Sequence, residues 1–189
     1  MSNWWERTGN KIAYPNLRQG TLPHCVYAAI AGGVNHLVRQ PVWTVQSLFD
    51  EHQKAGPKDA NFGVADTAIV PVAGAVERLH HNRVWSQDGL SPDRIRGWLN
   101  AGAVVILSME LRNDAVSKRG GWHMFSLVAV DQGRFQVWDT NGFEGFLTDA
   151  ELAVGFSYPN RWFFQPHDKE DALILKPKKA KIAEGENDE

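Results

Sequence analysis

The hydrophobic period of this chain changes once, at Gly102. Upstream, from Cys25 the apolar residues fall at Val26, Ala29, Ile30, Gly33, Val34 and Leu37, the i, i+3, i+4, i+7 spacing of a buried helix. Downstream, "AVVILSME" (103–110), "HMFSLVAV" (123–130), "RFQVWDT" (134–140) and "RWFFQ" (161–165) are short runs rich in β-branched and aromatic residues, which read as strands. Helices first and strands afterwards predict an α+β architecture, with the Cys25 helix packed against or beside a C-terminal antiparallel sheet.

Local signals refine that outline. Pro23 lies just before the first helix, where proline suits a helix entrance. Gly32 and Gly33 inside it cost about 1 kcal/mol each relative to alanine, which predicts a close approach by another backbone. A second helix is expected from Thr44 to a stop at Gly56. The segment 64–80 is helical in tone but interrupted by Pro71. "SPDRIRGWLNAG" has Ser91 placed to cap, Pro92 at the first position and Gly102 to close. "TDAELAVGF" from Thr148 reads as a short capped helix. One domain is expected over residues 1–168, and a charged, disordered tail over 169–189.

Composition excludes several classes. Hydrophobic residues at 43% support a real core, and a net charge of −2 argues against a nucleic-acid binder. No run reaches the ~18 apolar residues of a membrane span, and "MSNWWERTGNK" does not resemble a signal peptide. A cytoplasmic protein is therefore expected, export by a signal-independent route remaining open. Eight tryptophans fit core and rim packing, or a groove for a peptide or glycan. With a single cysteine there is no internal disulfide and no Cys-rich zinc site. His80-His81 lacks the spacing of a ligand set, so neither metal nor cofactor is expected.

That one cysteine opens a helix, where the dipole and unpaired N–H groups favour a thiolate. A nucleophile there also needs a base, a group to orient the base, and donors for an oxyanion. Gln19, six residues upstream, has a side-chain amide suited to the last task. Of seven histidines, His24 is adjacent to the cysteine and would have to fold back. His36, His52, His80 and His81 sit on or beside expected helices. His123 instead opens a strand directly after the "SKRGGW" loop, where a side chain can be held rigidly beside a cleft.

The hairpin register selects its partner. With Asp131, Gln132 and Gly133 as a three-residue connection, Val130 faces Arg134 and His123 lies opposite Asn141. Asp139 is then the diagonal neighbour of His123 on the same face, about 7–8 Å away between backbones. A two-residue loop would put Asp139 on the other face.

The set Gln19, Cys25, His123 and Asp139 resembles the Gln–Cys–His–Asn/Asp constellation of the papain-like cysteine peptidases. The interval "QGTLPHC" and the helix starting at the cysteine match that family. The order "SPDRIRGWLNAGAVVILSM", "GWHMFSLVAV", "FQVWDTNG" is similar to its bacterial branch that includes the leader peptidases of bacteriocin exporters. "LPHCVY" departs from the Gly-Ser-Cys-Trp signature of the plant and lysosomal enzymes. Asp139 followed by "TNG" replaces their Asn before Ser-Trp, with Asn141 as fallback orienter. The resemblance implies a papain-like catalytic domain in which a thiolate–imidazolium pair attacks a peptide or isopeptide carbonyl through an acyl-enzyme. The same triad also serves acyltransferases, transglutaminase-like enzymes and deamidases, and the fold serves as a non-catalytic binding module. A peptide or protein substrate is the expected partner.

Overall fold

A strand of consecutive large apolar residues is stable only where both faces of its sheet are covered. The computed structural model, which describes residues 25–54, 66–74, 76–82, 90–113, 118–142, 144–158, 162–165 and 172–178, meets that demand with three layers. Its elements in chain order are α1 (Cys25–Val38), α2 (Val45–Lys54), α3 (Asp66–Ala73), β1 (Val76–Asn82) and α4 (Pro92–Asn100). There follow β2 (Val104–Asn113), β3 (Lys118–Asp131), β4 (Arg134–Asp139), β5 (Glu144–Leu147) and α5 (Asp149–Val154). The last are β6 (Phe156–Tyr158), β7 (Trp162–Gln165) and β8 (Ala172–Pro177).

The α+β reading holds. The sheet runs β1-β8-β2-β3-β4-β5, and every pairing in it is antiparallel. One edge of β2 is shared: Val104–Leu107 pair with β8, and Glu110–Asn113 pair with β7, which in turn pairs with β6. Along β2, Val105, Leu107 and Met109 join a core with Ile95 and Leu99 of α4 and Leu152 of α5. The alternate residues Val104 and Ile106 join a second core with Ile30 and Val34 of α1, Leu48 of α2 and Ile69 of α3. Among the described residues no helix is long and apolar enough to cross a membrane.

The expected caps form. The Ser91 side chain accepts from the Arg94 N–H, and Gly102, at φ 78°, ends the turn after α4. Thr148 and Glu151 close a reciprocal capping box on α5. Thr44 and Ser47 exchange side-chain bonds with each other's N–H at the start of α2. The segment around Pro71 divides into α3 and then β1, and the Trp43 indole N–H donates to the Ala73 carbonyl at the end of α3, 2.9 Å away.

Three expectations need correction. The domain does not end at residue 168: "ALILKP" is β8, an interior strand with Ala172, Leu173, Ile174 and Leu175 all buried. A four-residue apolar run beside a lysine-rich stretch is outweighed in a composition window, yet it fills a slot between two strands. Residues 179–189 lie outside the described part. Next, Gly33 is approached by side chains rather than by backbone: a Cβ there would meet Leu175 Cδ1 at 3.2 Å and Val104 Cγ1 at 3.3 Å. At Gly32 a Cβ would meet nothing within 4 Å.

The third correction concerns the β3–β4 hairpin. Asp131 pairs with Arg134, so the connection is the two residues Gln132 and Gly133, at φ 48° and 76°, the left-handed pair of a type I′ turn. Continued unbroken, that register would set Leu127 opposite Trp138, which belong to different cores. A β-bulge between Leu127 and Ala129 takes up one residue, Val128, and the pairing resumes with Leu127 opposite Val137 and Phe125 opposite Asp139.

Candidate active site

Through that bulge, the register beyond it is the one a three-residue loop would have produced. His123 stands two residues from Phe125, the direct partner of Asp139, so histidine and aspartate are diagonal neighbours with side chains on one face. His123 Nε2 and Asp139 Oδ1 are 2.5 Å apart, and both residues are buried. The ring stands edge-on to Phe125, with centroids 5.0 Å apart.

The aspartate is held by its own turn. Its Oδ1 also accepts the Asn141 backbone N–H at 3.0 Å, the side-chain-to-backbone bond that Asp makes readily two residues on. The Gly142 N–H donates to the Asp139 carbonyl at 2.8 Å, with Gly142 at φ 90°. "DTNG" thus folds back over the end of β4 and brings two more polar groups to the ring. Thr140 Oγ1 is 3.2 Å from His123 Nε2, and the Asn141 side-chain amide is 3.3 Å from it.

Cys25 meets the imidazole from the first residue of α1, a helix with no acidic residue in its first turn. The thiol is hydrogen-bonded to His123. With Nε2 engaged by Asp139, Nδ1 is the nitrogen left to serve the sulfur. Burial alone would lower the histidine. The hydrogen bonds to Asp139 and Cys25, together with their charges, outweigh it and hold His123 at about 9, above the ordinary 6.5. His123 therefore carries its proton at neutral pH. Cys25 is half-buried, whereas His123, Asp139 and Thr140 are buried. Cys25 and Asn141 are thus the more open members of the group.

The structure therefore brings together Cys25, His123, Asp139 and Asn141. Gln19 lies outside the described residues, as do His24 and His167. His52 lies beneath α1, its Nδ1 2.7 Å from the Tyr27 hydroxyl, and burial lowers its pKa. His36 stands edge-on to Trp138 at 5.1 Å, lowered by burial and by the charge of Arg39. Neither is part of the Cys25 group. Thr140 was not foreseen in the sequence; its one local signal is its place inside the turn that follows the aspartate. Among the described residues, no three His, Cys, Asp or Glu side chains gather as a metal site.

No protein-family model and no curated protein matches the sequence. Among solved structures, the chain is similar to the Pseudomonas avirulence protein AvrPphB, at 13% identity and a TM-score of 0.38. That alignment covers 82% of this chain and 92% of the other. A similarity of that size leaves the chemistry to be read from this chain's own residues.

Proposed function

We propose that the protein is a papain-like cysteine peptidase that cleaves a peptide or isopeptide bond through a Cys25 acyl-enzyme. One observation carries this reading: one buried imidazole is hydrogen-bonded both to the Asp139 carboxylate, through Nε2, and to the thiol of a helix's first residue.

In this mechanism the thiol proton resides on His123 at rest, so that a Cys25 thiolate faces an imidazolium. The thiolate attacks the carbonyl carbon, and the carbonyl oxygen takes up the electron pair as an oxyanion. The Cys25 backbone N–H and the Gln19 amide are the donors assigned to that oxyanion, as the family resemblance implies. Collapse of the adduct expels the amine, which receives the proton from imidazolium Nδ1. Water then attacks the thioester with His123 as base, releasing the carboxylic acid and regenerating the thiolate–imidazolium pair. Asp139 fixes the tautomer and stabilises the imidazolium throughout.

The test is the pH dependence of Cys25 alkylation by iodoacetamide in wild type and His123→Ala. The reading requires rapid alkylation persisting well below pH 7 in wild type and lost in the variant. An ordinary thiol profile near 8.5 in both would make Cys25 a packing residue. Leader peptides of the kind cut by the bacterial exporter branch are the first substrates to try, with mass spectrometry of the products with and without an added amine. A free acid as the product in both conditions supports hydrolysis, and an amide formed with the amine would assign a transferase instead.

A further inference from the structure

We infer that Thr140 is a positioning residue for this reaction: its hydroxyl is a second acceptor for the His123 Nε2–H and fixes the plane in which the ring presents its other nitrogen to Cys25. The inference rests on the proposed roles of Cys25, His123 and Asp139. A lone carboxylate at the tip of an imidazole sets a distance but leaves the ring able to rock about the Nε2···Oδ1 line. A second acceptor off that line removes the rocking. Thr140 Oγ1 is 3.2 Å from Nε2, and the same oxygen lies 3.4 Å from the Met124 carbonyl. A hydroxyl has one proton and two lone pairs. Donating to Met124, Thr140 turns its lone pairs toward the imidazole N–H.

The placement is built rather than incidental. Thr140 is buried, and a β-branched side chain has few χ1 choices. The turn that carries it is closed at both levels, by Asn141 N–H to the Asp139 carboxylate and Gly142 N–H to the Asp139 carbonyl. The carbonyl that receives the hydroxyl belongs to Met124, the residue after His123. Thr140 thus ties the aspartate turn to the histidine strand beyond the last paired residues, Phe125 and Asp139. The charges that raise the ring's pKa come from Asp139 on β4 and Cys25 on α1, and the Thr140 hydroxyl adds a neutral acceptor to them without competing for charge.

The test is the titration of His123 by NMR in the Cys25→Ala background, which needs no substrate, for Thr140, Thr140→Ser and Thr140→Val. An acceptor stabilises the cationic ring more than the neutral one. Its loss in Thr140→Val should lower the His123 midpoint by about half a unit or more, while Thr140→Ser stays close to Thr140. With the thiol present, the alkaline limb of turnover should move down with Thr140→Val and stay with Thr140→Ser. An unchanged midpoint in Thr140→Val, or equal shifts in both variants, overturns the inference. Should Thr140→Val fail to fold, Thr140→Cys, similar in size to serine but a poor acceptor, takes its place under the same criteria. Failure of the peptidase reading would appear instead as ordinary alkylation of Cys25 in the wild-type chain, with the His123 titration unaffected.

Discussion

Asp139→Asn isolates what the buried carboxylate does for the histidine. His123 sits at about 9 against an ordinary 6.5, a gap of about 2.5 units, or about 3 kcal/mol at ~1.4 kcal/mol per unit. Because the folded value is the higher one, this stability is fully present below pH 6.5 and is lost as pH rises through about 9. The Asn replacement keeps the shape and, with its oxygen toward the ring, can accept from both His123 Nε2 and the Asn141 N–H. It removes the charge. Charge-assisted hydrogen bonds are roughly twice as strong as neutral ones, so about 2 kcal/mol should disappear at pH 6. By pH 10, where the ring is neutral in both proteins, the difference should have nearly closed, since the wild type then buries a carboxylate beside an uncharged partner. Urea unfolding followed by far-UV circular dichroism at pH 6, 8 and 10 reads the difference directly. Repeating it in the Cys25→Ala background separates it from titration of the thiol. A difference between wild type and variant that is constant from pH 6 to 10, or that grows, would refute the argument.

Cys25→Ala should abolish turnover and leave the unfolding midpoint within about 1 kcal/mol of wild type, since alanine suits a helix's first turn. A loss of folding would mark the cysteine as structural. Gly32→Ala, with open space around its Cβ, should stabilise by up to about 1 kcal/mol. Gly33→Ala should instead destabilise by about 1 kcal/mol, because the contacts with Leu175 and Val104 outweigh the helix gain; equal effects at the two positions would contradict the packing described. Truncation after Lys178 should leave the melting temperature nearly unchanged, whereas truncation after Asp171 removes an interior strand and should prevent folding; circular dichroism melts of the two decide.

What the sequence showed and what it hid follow from the range of the forces involved. Periodicity and caps are local, so α1, α4 and α5, and the strands around 104–110, 123–130 and 134–139, could be read directly. β8 was hidden because four apolar residues signal a strand only when their two neighbours, β1 and β2, are known. The hairpin was misread because glutamine seldom adopts a positive φ, yet Gln132 does. Two departures, a shorter loop and a bulge, left the His123–Asp139 register as though neither had occurred. The pairing of His123 with Asp139 was therefore legible even though the turn was not. Thr140 was invisible for a different reason: its hydroxyl reaches the ring only through the conformation of a turn that no local pattern specifies.

The interior place of β8 also sets a schedule for the chain as it leaves the ribosome. β2 to β5 pair with near neighbours and can assemble as they emerge, but β1, made earlier, can join the sheet only through β8, the last of the described strands to be made. The seat of the Cys25 helix is incomplete until then as well, because Gly33 rests against Leu175 of β8 as well as Val104 of β2. Synthesis therefore finishes the support of the Cys25 helix late, after His123 and Asp139 have already been translated. Until β8 has been made, α1 lacks part of its seat, and Cys25 has no settled place beside His123.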